Sequence, residues 1–247
     1  MSFRIVIPAR YASTRLPGKP LLPIAGRPMI EHVWRRAQAT GAIEVLIATD
    51  DVRIQAAASA FGATVIMTSP DHLSGTDRLA EVAQQQGWLA DSVIVNVQGD
   101  EPLLPAANVD QVAALLQADP EAAMATLMTP ITDERDFQDS NIVKVVSDRF
   151  GRALYFSRAP IPWPRDGRGA DAEVLGWRHI GLYAYRAGAL ANVAALAPTP
   201  LETTERLEQL RVLENGLKIT IAAAQEAPGP GVDTPEDLAR VAQLLGR

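Results

Sequence analysis

Arg10, Arg15 and Lys19 place three fixed cations within ten residues, in the stretch Pro8-Ala9-Arg10-Tyr11-Ala12-Ser13-Thr14-Arg15-Leu16-Pro17-Gly18-Lys19-Pro20. Its prolines and glycine restrict the backbone. Guanidinium and ammonium groups so clustered suit a triphosphate or another polyanion. On charge alone, a solvated basic loop reads the same way. Two acids further along could complete a phosphate site. Asp100 closes the run Val93-Ile94-Val95-Asn96-Val97-Gln98-Gly99, so it stands at a strand end. There it is either a turn-forming Asp or a ligand for Mg²⁺, which takes one or two carboxylates plus phosphate oxygens and water. Glu101 is a second acid beside it, followed by Pro102. Asp233 precedes Thr234-Pro235-Glu236-Asp237. If Thr234 caps a helix in a capping-box spacing with Asp237, and Pro235 opens that helix, the Asp233 carboxylate is left over for a second metal contact. The alternative is that Asp233 is itself the cap.

These residues need a scaffold. Phe3 to Ile7 is an apolar run with one charge, read as a buried first strand, so the cationic loop leaves its C-terminal end. Open α/β sheets place ligands at such ends, which favours phosphate binding. A strand–helix rhythm follows: a helix from Pro28 to Gly41, a strand Val45–Ala48, a helix Ile54–Phe61, a strand Thr64–Met67, a helix Thr76–Gln86, a strand Val93–Val97 and a helix Ala107–Ala118. That pattern predicts a mostly parallel, doubly wound sheet. The second half is less regular. Ile142–Val146 and Ala153–Phe156 read as a strand pair, followed by a Pro/Arg-rich loop from Ser157 to Gly169. His179–Tyr185 reads as a strand, Glu205–Glu214 as a helix, Ile219–Ala223 as a strand, and a last helix starts at Pro235. Neither a repeat nor a disordered linker interrupts the chain.

Composition narrows the function. The 247 residues suit one large α/β domain or two small ones, and an apolar content of 47% is enough for a buried core. A net charge of −6 argues against nucleic-acid binding and makes the cationic loop a local feature, fit for a small anion. The absence of cysteine excludes disulfides, thiolate metal sites and cysteine nucleophiles. Three histidines argue against a His-based metal site. Ser157 and His179 have no Gly-x-Ser-x-Gly context for a hydrolase triad. No apolar run is long enough for a membrane span, and Met1–Arg4 leaves no room for a signal peptide before the first strand, so a cytoplasmic protein is expected.

The motifs PARYASTRLPGKPL, SGTDRLAEV, VQGDEP, YFSRAPIPW, RHIGLYAYR, LEQLRVLENG and GVDTPEDL occur in this order along essentially the whole chain. In this the sequence resembles the 3-deoxy-manno-octulosonate cytidylyltransferase family. PAR…K alone would admit the wider nucleotidyltransferases, including CMP-sialic acid synthetases. The resemblance implies a Rossmann-like fold of the nucleotide-diphospho-sugar transferase type with a smaller mixed sugar-binding and dimerisation portion. As one domain over 1–247, it would hold the nucleotide with roughly 1–125 plus 217–247 and the sugar with roughly 126–216. The implied reaction joins CTP and 3-deoxy-D-manno-octulosonate (Kdo) into CMP-Kdo and pyrophosphate, for lipopolysaccharide synthesis in a Gram-negative cytoplasm. Mg²⁺ dependence and a homodimer, without nucleic-acid or membrane partners, come with it.

The resemblance also implies roles. Arg10 and Lys19 would meet the triphosphate, and Asp100 and Asp233 would hold Mg²⁺. Pro8, Ala9 and Ser74 would line the nucleotide, with Gln98 at its junction with the sugar. Kdo is an acid, so its carboxylate needs a cation: Arg78 first, Arg15 second. His179 and Tyr183 share a strand face, as does Tyr185. The first two are taken as sugar contacts, and a face of plain core is the competing reading. Glu208 and Gln209 match the family's sugar-facing pair. Arg158 faces either the sugar or another subunit. A different acidic sugar, such as a sialic acid, is the nearest alternative substrate. A non-catalytic nucleotide sensor would lack Lys19 or one acid, and this chain has all three.

Overall fold

The computed structural model describes residues 2–12, 16–72, 74–165, 167 and 173–246. Strand β1 (Arg4–Ala9) carries Ile5, Val6 and Ile7 fully buried, as a strand covered on both faces must. A short 3₁₀ turn at Lys19–Leu21 and a two-strand ribbon, β2 (Pro23–Ile24) and β3 (Arg27–Pro28), lead into α1 (Met29–Gln38). Then come β4 (Glu44–Thr49), α2 (Val52–Ala60), β5 (Thr64–Met67), α3 (Gly75–Gln85), β6 (Val93–Asn96) and α4 (Ala106–Ala118). The expected rhythm holds through this half, with boundaries shifted by a residue or two.

The second half contains β7 (Ala122–Ile131), α5 (Glu134–Gln138), β8 (Lys144–Ser147), β9 (Ala153–Ser157), β10 (Gly176–Arg186) and α6 (Ala187–Ala195). It closes with α7 (Pro200–Glu205), α8 (Gln209–Glu214), β11 (Lys218–Ala223) and α9 (Pro235–Leu245). β8 and β9 form the expected antiparallel pair. The helix expected over Glu205–Glu214 is instead two, because Arg206 takes a left-handed backbone (φ 55°, ψ 48°) that ends α7. Glu208 therefore stands immediately before α8, and not at a mid-helix position.

The sheet runs β11-β7-β10-β6-β1-β4-β5, with β8 joined to β10 and β9 to β8. β1 is parallel to β4 and β6, β4 to β5, and β7 to β11. β10 runs antiparallel to both β6 and β7. Helices cover both faces. One core gathers Ile5, Ile7, Val33, Val95 and Val112, and the other gathers Val6, Leu46, Leu79, Ile94 and Leu190. From β1 the chain winds outward to β4 and β5, then returns to add β6 on the other side. The switch point therefore lies between the C-terminal ends of β1 and β6. Among the described residues no helix is long and apolar enough to cross a membrane.

Candidate active site

Both loops that leave this switch point carry charge. β1 delivers Pro8, Ala9 and the exposed Arg10, and β6 delivers Gln98, Gly99 and Asp100. Gly99 marks a point of close backbone approach. The close approach seen is to the chain itself: a Cβ on Gly99 would lie 2.9 Å from the Pro8 carbonyl oxygen. The glycine thus lets the two loops pack together.

Asp233 arrives from the far end of the chain. Thr234 caps α9, its hydroxyl accepting from the Asp237 N–H while the Asp237 carboxylate accepts from the Thr234 N–H. The capping oxygen comes from Thr234 and not from Asp233, as the first of the two sequence readings required. The docking is apolar: Val232 and Val241 pack with Leu16, Ile24 and Met29, residues that flank the Lys19 turn. The Val232 N–H donates to the Asp100 carbonyl at 2.9 Å, which ties the segment to the β6 loop.

Three oxygens then converge on the Lys19 ammonium: Asp100 Oδ2 at 2.6 Å, the Val232 carbonyl at 2.8 Å and Asp233 Oδ1 at 3.1 Å. An all-oxygen set with two carboxylates already bound to a cation has the donor chemistry that hard Mg²⁺ requires. Among the described residues no three acidic, His or Cys side chains group closely enough to hold a metal by themselves. Two acids would leave the remaining positions to phosphate and water. Glu101 is not part of this wall. Desolvation and the neighbouring Asp100 charge push its carboxyl up to about 7.

A cavity of about 980 Å³ opens over this group. It is lined by Pro8, Ala9, Arg10, Lys19, Ser74, Arg78, Gln98, Asp100 and Asp233, and further along by His179, Tyr183, Glu208 and Gln209. Of the candidate site residues read from the sequence, Glu101 and Arg158 do not line this space, Arg15 lies outside the described residues, and the others face it together. Ser74 caps α3, and Gly75 and Thr76 of that helix start also reach the cavity. Arg78 is buried on α3, with its guanidinium 3.3 Å from Asp50 and hydrogen-bonded to Thr68. Burial and the charge of Arg10 work to lower its pKa, and Asp50 works against them.

The far end of the cavity is aromatic. His179, Tyr183 and Tyr185 follow each other along β10, with ring centroids 5.3 and 6.0 Å apart. Phe156 meets the His179 ring edge-on. His179 Nε2 is 3.0 Å from the buried Thr126 hydroxyl, and burial lowers its pKa to about 3. The neutral ring with its proton on Nε2 leaves Nδ1 as an acceptor. Burial raises the pKa of Tyr183 and Tyr185. Glu208 accepts from the Thr76 hydroxyl at 3.1 Å, and burial raises its pKa. Arg158 does not line the cavity. It donates to the Glu205 and Ser140 carbonyls, while the Glu205 carboxylate holds the Ser157 hydroxyl and the Arg158 N–H.

Several cavity residues escaped the sequence reading. Asn96 ends β6 opposite Tyr183, is 3% exposed, and its Oδ1 has no partner among the described residues. One polar residue in an otherwise apolar run was its only signal. Arg206 and Gly181 also line the wall. The left-handed turn that brings Arg206 there left no mark in the sequence.

The chain matches the family described as cytidylyltransferase over residues 4–219. It is 57% identical to the 3-deoxy-manno-octulosonate cytidylyltransferase of Pseudomonas syringae pv. syringae (strain B728a), and 58% identical to that of P. syringae pv. tomato (strain ATCC BAA-871 / DC3000). In both comparisons 99% of this chain and 98% of the relative are covered. A CMP:2-keto-3-deoxy-manno-octonic acid synthetase complexed with CTP superposes with a TM-score of 0.90 at 45% identity, over 99% of this chain and 98% of the other. A 4-diphosphocytidyl-2C-methyl-D-erythritol synthase shares the fold, with a TM-score of 0.63 at 16% identity over 99% of this chain and all of the other.

Proposed function

The chain belongs to the cytidylyltransferase family, among its 3-deoxy-manno-octulosonate members, and from that premise we propose that it transfers CMP from CTP to Kdo. The anomeric hydroxyl of the sugar attacks the α-phosphorus of CTP. A new P–O bond forms, the bond to the β-phosphoryl oxygen breaks, and pyrophosphate leaves. Little covalent work falls to the protein in such a transfer, so positioning and charge neutralisation dominate.

The observation that carries this reading is the meeting of Asp100 and Asp233 on one cation at the β1/β6 switch point. We assign these two carboxylates to Mg²⁺, which when bound supplies neutralising charge for the triphosphate and a lowered pKa for the attacking hydroxyl. Lys19 and Arg10 face the triphosphate and the departing pyrophosphate from the β1 side. Pro8, Ala9 and Ser74 border the nucleotide, and Gln98 sits where nucleotide and sugar meet. Arg78 faces the sugar carboxylate. Its guanidinium offers five donors, more than Asp50 and Thr68 occupy. His179, Tyr183, Glu208 and Gln209 supply donors and acceptors for sugar hydroxyls. The product fits lipopolysaccharide synthesis in a Gram-negative cytoplasm. A homodimer is part of the same reading, supported by the exposed Phe150 and Leu154 on the β8–β9 hairpin.

The test is pyrophosphate release. Wild type is expected to release it only with CTP, Kdo and Mg²⁺ all present. Asp100→Asn and Asp233→Asn are each expected to lower turnover about a hundredfold or more, the scale of losing one electrostatic contact to the transition state. Near-normal Mg²⁺-dependent turnover in either variant would remove that acid from the mechanism.

A further inference from the structure

Gly181 lines the cavity between His179 and Tyr183, and nothing among the described residues requires it to be glycine. A glycine is normally explained by a left-handed backbone or by an atom too close to admit a side chain. Gly18 and Gly26 show the first cause, with φ of +68° and +81°. Gly99 and Gly176 show the second: an added Cβ would stand 2.9 Å from the Pro8 oxygen and 2.7 Å from the Phe137 ring. Gly181 shows neither. Its φ is not in the left-handed range, and a Cβ there would meet no heavy atom of the described residues within 4 Å.

The local backbone is built to hold this bare patch in place. Pairing of β10 with β7 slips between Ile180 and Tyr183, so Gly181 and Leu182 bulge out of register. The buried Thr126 hydroxyl lies 3.0 Å from the Ile180 carbonyl and 2.9 Å from the Leu182 carbonyl, so its one proton ties one flank of the bulge or the other to β7. The same cavity holds two buried amide groups without partners among the described residues: Asn96 Oδ1, an acceptor, and Gln209 Nε2, a donor. Leaving such groups unmatched is costly, and hydroxyls, which donate and accept, would satisfy both.

We propose that the Gly181 bulge is a size-determining subsite for the hydroxylated body of the acidic sugar. The sugar packs directly on the peptide backbone where a side chain would otherwise stand. This rests on the functional reading above, with Kdo as the probe.

The experiment compares wild type with Gly181→Ala. Alanine fits the fold and restricts the unfolded chain, so the melting temperature is expected to stay equal or rise. CTP binding, measured by calorimetry without sugar, is expected to be unchanged. kcat/KM for Kdo is expected to fall roughly ten- to two-hundredfold, the range for one misplaced methylene in a fitted pocket. With an active wild type, equal kcat/KM for Kdo in both proteins overturns the subsite alone. A lower melting temperature or weaker CTP binding also overturns it, since Gly181 would then serve the fold. A wild type that shows no Kdo-dependent pyrophosphate release overturns the functional reading, and the subsite falls with it.

Discussion

His179 shows how a titratable side chain becomes a fixed neutral one. Its ring meets Phe156 edge-on, lies against Tyr183 and contacts Thr126 through Nε2. Burial, with Arg178 adjacent in sequence, lowers its pKa from 6.5 to about 3. Between those values the unfolded chain takes up a proton that the folded chain refuses. The stability this ring contributes is therefore whole above about pH 6.5 and declines as pH falls toward 3. His179→Gln keeps an N–H for Thr126 and loses the titration. The gap in melting temperature between wild type and this variant is expected to narrow as pH drops through that window. A gap that stays constant from pH 7 to pH 4 would show that the ring is not held neutral.

Gly99 makes a contrasting case at the level of the loops that join the elements. A Cβ there runs into the Pro8 carbonyl, a backbone atom that cannot turn aside, so the ends of β1 and β6 would have to separate. Gly99→Ala is expected to destabilise by about 1–3 kcal/mol, as overpacking does. It should also lower turnover, because Asp100 shifts with the loop. Thermal melts and pyrophosphate release, measured on one preparation, check both effects. The elements legible in the sequence are those with local signatures. Ser74 and Thr234 announce α3 and α9 by their capping boxes, and the apolar runs announce β1, β4 and β6. β7 is not legible: Ala-Ala-Met-Ala-Thr-Leu-Met favours a helix locally, and only its place between β10 and β11 makes it a strand. The break at Arg206 is hidden for a similar reason. Its left-handed backbone stands between α7 and α8, which the Glu202–Arg211 ion pair ties together.

For the whole molecule, the order of the strands decides what can meet. β10 enters antiparallel between β6 and β7, so the aromatic row it carries stands beside the loops that bear Arg10 and Asp100. The candidate site is legible in its residue types because strand ends and caps are local. Their convergence is legible only through the motif order, since contacts such as Lys19 to Asp233 span most of the chain. Assembly is testable on the same scale. Sedimentation of wild type is expected to give twice the 26.5 kDa chain mass. The double variant Phe150→Asp, Leu154→Asp is expected to give a single chain with its fold retained. A wild type that sediments as one chain would remove the dimer from the proposal.

The docking of the α9 segment onto the Lys19 turn also has a temporal side. The two partners of that contact are 214 positions apart. On the ribosome, the cation-bearing loop emerges long before the second acid. A growing chain can thus complete β1 and its loop well before both carboxylates are present to meet Lys19.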